Sequence, residues 1–201
     1  KDHGIPFIKE LDAILDMKNI DFIISVQYHL ILRQKHIDVA NDIAINLHMA
    51  PLPEYRGCNQ FSFAIFNQAS TFGTTLHRLE SGVDNGAIIA ERRFDMEIGQ
   101  EVKPLYDKTF EESVLLFEEN IGKILSGNYT LNDQANLIDE RGLNIYYRKD
   151  IVELKEIDLN DSADVIIRKV RATAMTGFEP TFTIVDGKKY YIIPENQYQI
   201  N

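Results

Sequence analysis

The sequence predicts an α/β fold followed by a small accessory piece. Three observations predict it. Over roughly the first 130 residues, short apolar runs rich in β-branched residues alternate with helical patterns. A long amphipathic helix over residues 104–125 closes that stretch. After it, one more helical pattern precedes two strand-like runs that flank Asp186-Gly187, a two-residue hairpin signal.

The elements follow in order. Ile8, Leu11 and Leu15 share a face at helical spacing, so residues 7–18 read as an amphipathic helix. Ile20 to Val26 is an apolar run bounded by polar segments and reads as a buried strand. Residues 33–41 read as a short polar helix, and Ile43 to Asn46 as a second buried strand. Pro51 and Pro53 break regular structure. A helix is expected over 59–67, where Phe61, Ala64 and Ile65 recur at helical spacing. Thr74 to Leu79 and Ala87 to Phe94 read as strands joined by a shaped loop with two glycines, Gly82 and Gly86. In the long helix Phe110, Val114, Phe117, Ile121 and Ile124 lie on one face and are expected inward, and Gly127 is the stop. Residues 131–160 are mostly polar with scattered aromatics. Ser162 caps a helix to about 174 with Ile166 and Val170 inward. Thr181–Val185 and Lys189–Ile193 form the hairpin, and the polar tail from Pro194 reads as frayed. The division expected is a core at 1–130 and a linker with a small subdomain at 131–201.

Composition narrows the function. The 201 residues carry 21 basic and 31 acidic side chains, a net charge of −10. The densest basic clusters are Arg92-Arg93 and Lys188-Lys189, so no nucleic-acid partner is expected. No apolar run approaches the ~20 residues of a spanning helix, so no membrane partner is expected either. The single cysteine, Cys58, excludes an internal disulfide framework and fits a reducing cytoplasm.

Asn46-Leu47-His48 sits where a strand runs into a loop, the place where open α/β sheets bind ligands. Residues two apart on a strand point the same way, so Asn46 and His48 converge. An amide can donate to a developing oxyanion, and an imidazole can move a proton near neutral pH. The competing reading is a pair of core residues tying down backbone. Asp84 reads either as a turn former or as a carboxylate that raises the pKa of a neighbouring histidine. His77 reads as a satisfied sheet histidine, His29 and His36 as loop or surface residues, and Cys58 as structural. Tyr146-Tyr147 and Tyr190-Tyr191 read as packing. No histidine spacing signals a metal site.

The run from Ile45 to Gly57, Ile-Asn-Leu-His-Met-Ala-Pro-Leu-Pro-Glu-Tyr-Arg-Gly, resembles the active-site segment of the N10-formyltetrahydrofolate-dependent formyltransferases. Gly73-Thr74-Thr75-Leu76-His77 and Val83-Asp84-Asn85-Gly86-Ala87-Ile88-Ile89 resemble that family's second signature, in its order and at about its separation. The likeness covers roughly residues 5–125, with weaker traces at Arg171-Ala172 and Gly177 to Pro180. It implies a Rossmann-like core whose first strand and glycine-containing turn precede Lys1, roughly 50 residues on the usual size of two βα units. It implies catalysis by Asn46, His48 and Asp84 through a tetrahedral intermediate, with His48 partly protonated under the influence of Asp84. The folate cosubstrate would meet Tyr28, Leu30, Leu32, Glu80 and Val83. The amine acceptor would meet Met49, Pro51, Tyr55, Arg56, Asn59 and Gln60, where Arg56 reaches a phosphate or packs across the loop. No metal is required. His48-Met49-Ala50-Pro51 departs from the family's usual His-Pro-Ser-Leu beside the acceptor.

Within that family the stretch His48 to Gln60 and the short hairpin-bearing end resemble the sugar-nucleotide N-formyltransferases, which are commonly dimers. The acceptor so implied is an amino-dideoxy sugar on dTDP, 4-amino-4,6-dideoxyglucose first among them, in cytoplasmic surface-polysaccharide synthesis. Against it stand glycinamide ribonucleotide and methionyl-tRNA formyltransferases, a formyltetrahydrofolate hydrolase and an inactive binding module.

Overall fold

A computed structural model describes Ile5 and residues 7–194 of the chain. Its centre is a four-stranded mixed sheet. A 3₁₀ turn at Leu11–Asp16 leads to β1 (Phe22–Val26), and a one-turn α1 (Gln34–Ile37) leads to β2 (Ile43–His48). A loop with a cis Leu52–Pro53 peptide runs to the two-residue β3 (Arg56–Gly57) and α2 (Gln60–Phe66). Then come β4 (Thr71–Arg78), β5 (Ile88–Asp95) and α3 (Val102–Leu125). The sheet order is β1-β2-β4-β5, with β1 and β2 parallel and the other pairs antiparallel.

The sheet has two distinct faces because strand side chains alternate. Ile43, Ile45 and Leu47 of β2 and Leu76 of β4 pack with Leu116 and Ile124 of α3 in one buried cluster. The intervening residues Asn46, His48, Thr75 and His77 therefore point to the other face. The β4–β5 register shifts at Leu76/His77, a bulge of the kind that re-aims a side chain.

The chain after α3 first crosses that face, where Arg141 pairs with Glu91 of β5. A 3₁₀ turn at Gln134–Leu137 runs into α4 (Ile138–Arg141) and β6 (Ile145–Tyr146), which pairs in parallel with β3. A further 3₁₀ turn and α5 (Ile151–Lys155) lead to α6 (Ala163–Thr173), then to the hairpin of β7 (Thr181–Val185) and β8 (Lys188–Ile192). Leu154 and Ala172 share a buried cluster with Ala50, Tyr55, Phe72 and Leu105. The hairpin docks through Phe182, whose carbonyl accepts from Ile157 N–H at 2.8 Å. Ser162 caps α6 and Asp186-Gly187 turns the hairpin, as local chemistry predicts.

Several expectations are corrected. The helix over 7–18 is only six residues of 3₁₀ turn with no buried side chain, and it leans on α1 through Asp12 with Lys35 and His36. Among the described residues β1 lies at one side of the sheet, and Ile24 and Val26 are exposed there where a fully buried strand is predicted. The helix over 33–41 is one turn, since Asn41 and Asp42 already donate to Ile20 and Asp21 carbonyls. His36 is buried, its Nδ1 accepting from Arg33 N–H and its Nε2 bound to Asp12, rather than at the surface.

The inward face of α3 is Val102, Leu105, Thr109, Ser113, Leu116 and Ile124. Phe110 and Val114 are exposed instead. Thr109 and Ser113 bond to carbonyls one turn back, and Ser113 also meets Thr74 at 2.8 Å. Polar residues can therefore occupy the sheet-facing stripe. The frayed tail lies mostly outside the described residues. Among those described, no helix is long and apolar enough to cross a membrane.

Phe72 is fully buried, with its ring against Tyr55, Phe61 and Phe94. Phe72→Ala is expected to destabilise the fold by about 3–5 kcal/mol, read as a lower urea midpoint.

Candidate active site

The site is assembled where β1 and β2 end, on the sheet face away from α3. In the antiparallel ladder Asn46 lies opposite His77 and His48 opposite Thr75. Opposed residues share a face, so pairing brings together side chains 31 positions apart. Asn46 Nδ2 is 3.2 Å from His77 Nε2. His77 Nδ1 is 2.9 Å from the Arg78 carbonyl, which can only accept. The ring proton therefore sits on Nδ1, and Nε2 is left to accept from the Asn46 amide. The chain leaving β2 is pinned by Thr74, which donates to the His48 carbonyl, and Thr75, which donates to the Ala50 carbonyl.

His48 is buried, and its Nε2 donates to the Tyr55 carbonyl at 2.8 Å. The same reasoning puts its fixed proton on Nε2. Nδ1 is the titrating atom, and it faces Asp84 Oδ2 at 3.7 Å. The other Asp84 oxygen lies 3.6 Å from His77 Nε2. Gly57 N–H donates to Oδ2 at 2.9 Å. Gly57 has a φ of 92°, and a Cβ there would collide with the Tyr146 carbonyl where β3 meets β6.

The electrostatics follow from burial. Burial pushes the His48 pKa down, and the nearby Asp84 carboxylate offsets only part of that. Burial thus favours the neutral form of His48, against the partly protonated imidazole that the resemblance implies. Burial pushes the Asp84 carboxyl up, but His48, His77 and the Gly57 N–H outweigh it and hold the group far below the usual carboxylate range. Asp84 is an anion throughout.

The expected site residues fall into three groups. Asn46, His48 and Asp84 converge. Met49, Pro51 and Tyr55 are buried inside the 49–55 loop, with the Tyr55 ring edge-to-face with Phe72 and stacked on Tyr146. Arg56, Asn59 and Gln60 remain partly exposed at its far end. Arg56 donates from Nε and Nη2 to Gln134 Oε1 at 3.0 and 2.8 Å. Tyr28 and Leu30 are exposed on the segment that leaves β1 beside Leu47, and Leu32 is half-buried. Glu80 is held by Arg78, and Val83 is exposed next to Asp84.

Two further residues are brought into the site. His77 is a sheet histidine, but one that touches Asn46 and lies beside Asp84; its role is visible only once the register of β2 against β4 is known. Gln134 is fully buried and has no local signal, since its partners are 48 to 78 residues away. Among the described residues, no group of three or more His, Cys, Asp or Glu side chains is arranged to hold a metal ion.

Known proteins are similar to this chain in sequence and in fold. The chain is 31% identical over 172 residues to GDP-perosamine N-formyltransferase of Brucella melitensis biotype 1, covering 86% of this chain. It spans 64% of that relative's length. The structure of WlaRD, a sugar 3N-formyl transferase in the presence of dTDP and 5-N-formyl-THF, superposes with a TM-score of 0.75 at 26% identity, over 94% of this chain and 65% of that one. A 4-N formyltransferase from Francisella tularensis shares the fold, with a TM-score of 0.77 at 23% identity over 87% and 70% of the two chains. The formyl transferase family model matches residues 6–120, more than half of the 201, and spans β1 to β5 with all three convergent side chains; the chain belongs to that family.

Proposed function

We propose that the protein transfers a formyl group from N10-formyltetrahydrofolate to the amino group of a nucleotide-linked amino sugar. The observation that carries the reading is the convergence of the Asn46 amide, the neutral His48 Nδ1 and the Asp84 anion on one sheet face. The sugar class rests on the perosamine relative and the dTDP-bound neighbour. Within that class dTDP-4-amino-4,6-dideoxyglucose is the acceptor we favour, its product destined for O-antigen or other lipopolysaccharide. We place the enzyme in the cytoplasm as a homodimer. The unpaired Cys58 supports a reducing compartment.

The folate supplies the formyl carbon, and the residues handle charge and protons. The attacking amine must be neutral. As it adds, negative charge grows on the formyl oxygen, and Asn46 donates to it. His77 occupies one amide N–H of Asn46, leaving the other for this oxygen. His48 takes the amine proton at Nδ1, since Nε2 is committed to Tyr55. The imidazolium then faces Asp84, whose charge stabilises it. Departure of the folate nitrogen takes that proton back. The folate ring is placed along Tyr28, Leu30, Leu32 and Val83, near Glu80. The sugar nucleotide is placed at Arg56, Asn59 and Gln60, with Met49, Pro51 and Tyr55 shaping that loop from within.

Mass spectrometry of the full-length protein with N10-formyltetrahydrofolate and a panel of amines tests the reading. A formyl adduct is expected on a dTDP- or GDP-linked amino sugar. Adducts on glycinamide ribonucleotide or methionyl-tRNA instead, free formate alone, or no reaction would each reject it.

Asn46→Ala is expected to lower kcat by roughly 10²-fold or more, the usual cost of an oxyanion donor. His48→Ala should cost ~10²–10⁴-fold. Circular dichroism should stay native in both, and near-wild-type turnover in either would remove that residue from the chemistry.

The pH dependence has a definite sign. His48 works deprotonated, so kcat should rise with pH to a plateau, with a midpoint below the ordinary histidine value of 6.5. Asp84→Asn removes the charge that partly holds this pKa up, so the acid limb should move to lower pH. A shift to higher pH would contradict the assignment.

A further inference from the structure

Gln134 lies beyond the long helix, outside the segments that carry the family's signatures. It is 1% exposed, and its amide makes every hydrogen bond an amide can make. Oε1 accepts from Arg56 Nε and Nη2. Nε2 donates to the Asp84 carbonyl at 2.8 Å and to the Gly86 carbonyl at 2.7 Å. One side chain thus brackets the backbone of Asp84 on one side and tethers Arg56 on the other. Arg56 immediately precedes Gly57, whose N–H is the hydrogen-bond donor to the Asp84 carboxylate.

The bracketed backbone needs holding. Asp84 has a φ of 45°, in the left-handed region that side-chain-bearing residues seldom occupy. Gly86 lies so close to the Arg78 carbonyl that a Cβ would not fit. The segment supplying Gln134 is anchored independently, because Asn132 and Ile88 exchange two backbone hydrogen bonds of 2.8 Å. Removing the amide therefore frees the Asp84 loop without freeing the segment that carries residue 134.

We propose that Gln134 is a positioning residue for the reaction: it holds Asp84 opposite His48 by fixing the Asp84–Gly86 backbone and the Arg56–Gly57 strand together. This rests on the reading of Asp84 as the partner of His48 in formyl transfer. Gln134 itself touches no reacting atom.

The test compares Gln134→Met, Gln134→Glu and Asp84→Asn in the full-length protein. Gln134→Met keeps the volume and removes all four bonds. Gln134→Glu keeps the acceptor for Arg56 and loses both donors to the loop. Each is expected to lower kcat by about tenfold or more, since a misplacement near 1 Å can cost on the order of 10². KM for the folate cosubstrate should stay within about threefold in both, and so should KM for the sugar nucleotide in Gln134→Glu, which keeps Arg56 tethered. The NMR titration of the His48 ring should move to lower pH, in the direction set by Asp84→Asn. The double variant Gln134→Met/Asp84→Asn should turn over no more slowly than Asp84→Asn alone.

Unchanged kcat in folded variants would overturn the proposal. So would a lowered kcat with the His48 titration unmoved, or losses that add in the double variant. Failure of both Gln134 variants to fold, with Asp84→Asn folded, would assign the residue to stability alone. The titration needs no turnover, so it reads the position of Asp84 even in a protein that formylates none of the amines tested.

Discussion

Asp84 is an anion with only 18% of its side chain exposed, and a buried ion costs several kcal/mol unless its surroundings replace water. Here the Gly57 N–H donates to it, and the His48 and His77 rings lie 3.7 and 3.6 Å away, where a proton gained by either would meet the charge. They come from three parts of the chain, so satisfying one carboxylate fixes the relative placement of β2, β4 and the strap at Arg56–Gly57. The sheet register then does the rest. Because Asn46 faces His77 across the ladder, the residue that neighbours the anion is also the one that orients the amide. Charge burial and strand pairing are satisfied by the same few atoms.

The two histidines illustrate how backbone carbonyls select chemistry. A carbonyl cannot donate, so Tyr55 and Arg78 each commit one ring nitrogen to holding a proton. His48 is left with Nδ1 free and His77 with Nε2 free. Identical side chains are thereby left with different free nitrogens, Nδ1 of His48 facing Asp84 and Nε2 of His77 accepting from an amide.

Much of the fold was legible where its cause is local. Asp186-Gly187 turns a hairpin by its own backbone preferences, and Ser162 caps a helix from the next residue. Asn46, His48 and Asp84 were legible because their spacing matches a known signature. What was hidden depends on partners far along the chain. His36 is buried by an aspartate 24 positions earlier, and Gln134 by an arginine 78 positions earlier. The inward face of α3 was misread because Thr109 and Ser113 satisfy their hydroxyls within the helix and so behave as core residues. Hydrophobic periodicity scores such residues as surface.

Gly57 carries a further implication. Its backbone donates to the Asp84 carboxylate, pairs β3 with β6 and leaves no room for a side chain against Tyr146. Arg56, Cys58, Asn59 and Gln60 on either side keep partly exposed side chains. Drift in this loop is therefore channelled. Flanking side chains can be exchanged with the backbone unchanged, while the glycine between them is fixed, because a replacement dismantles a strand pairing and a charge site in one stroke. Such a fixed pivot lets a surface diversify without disturbing the chemistry beneath it.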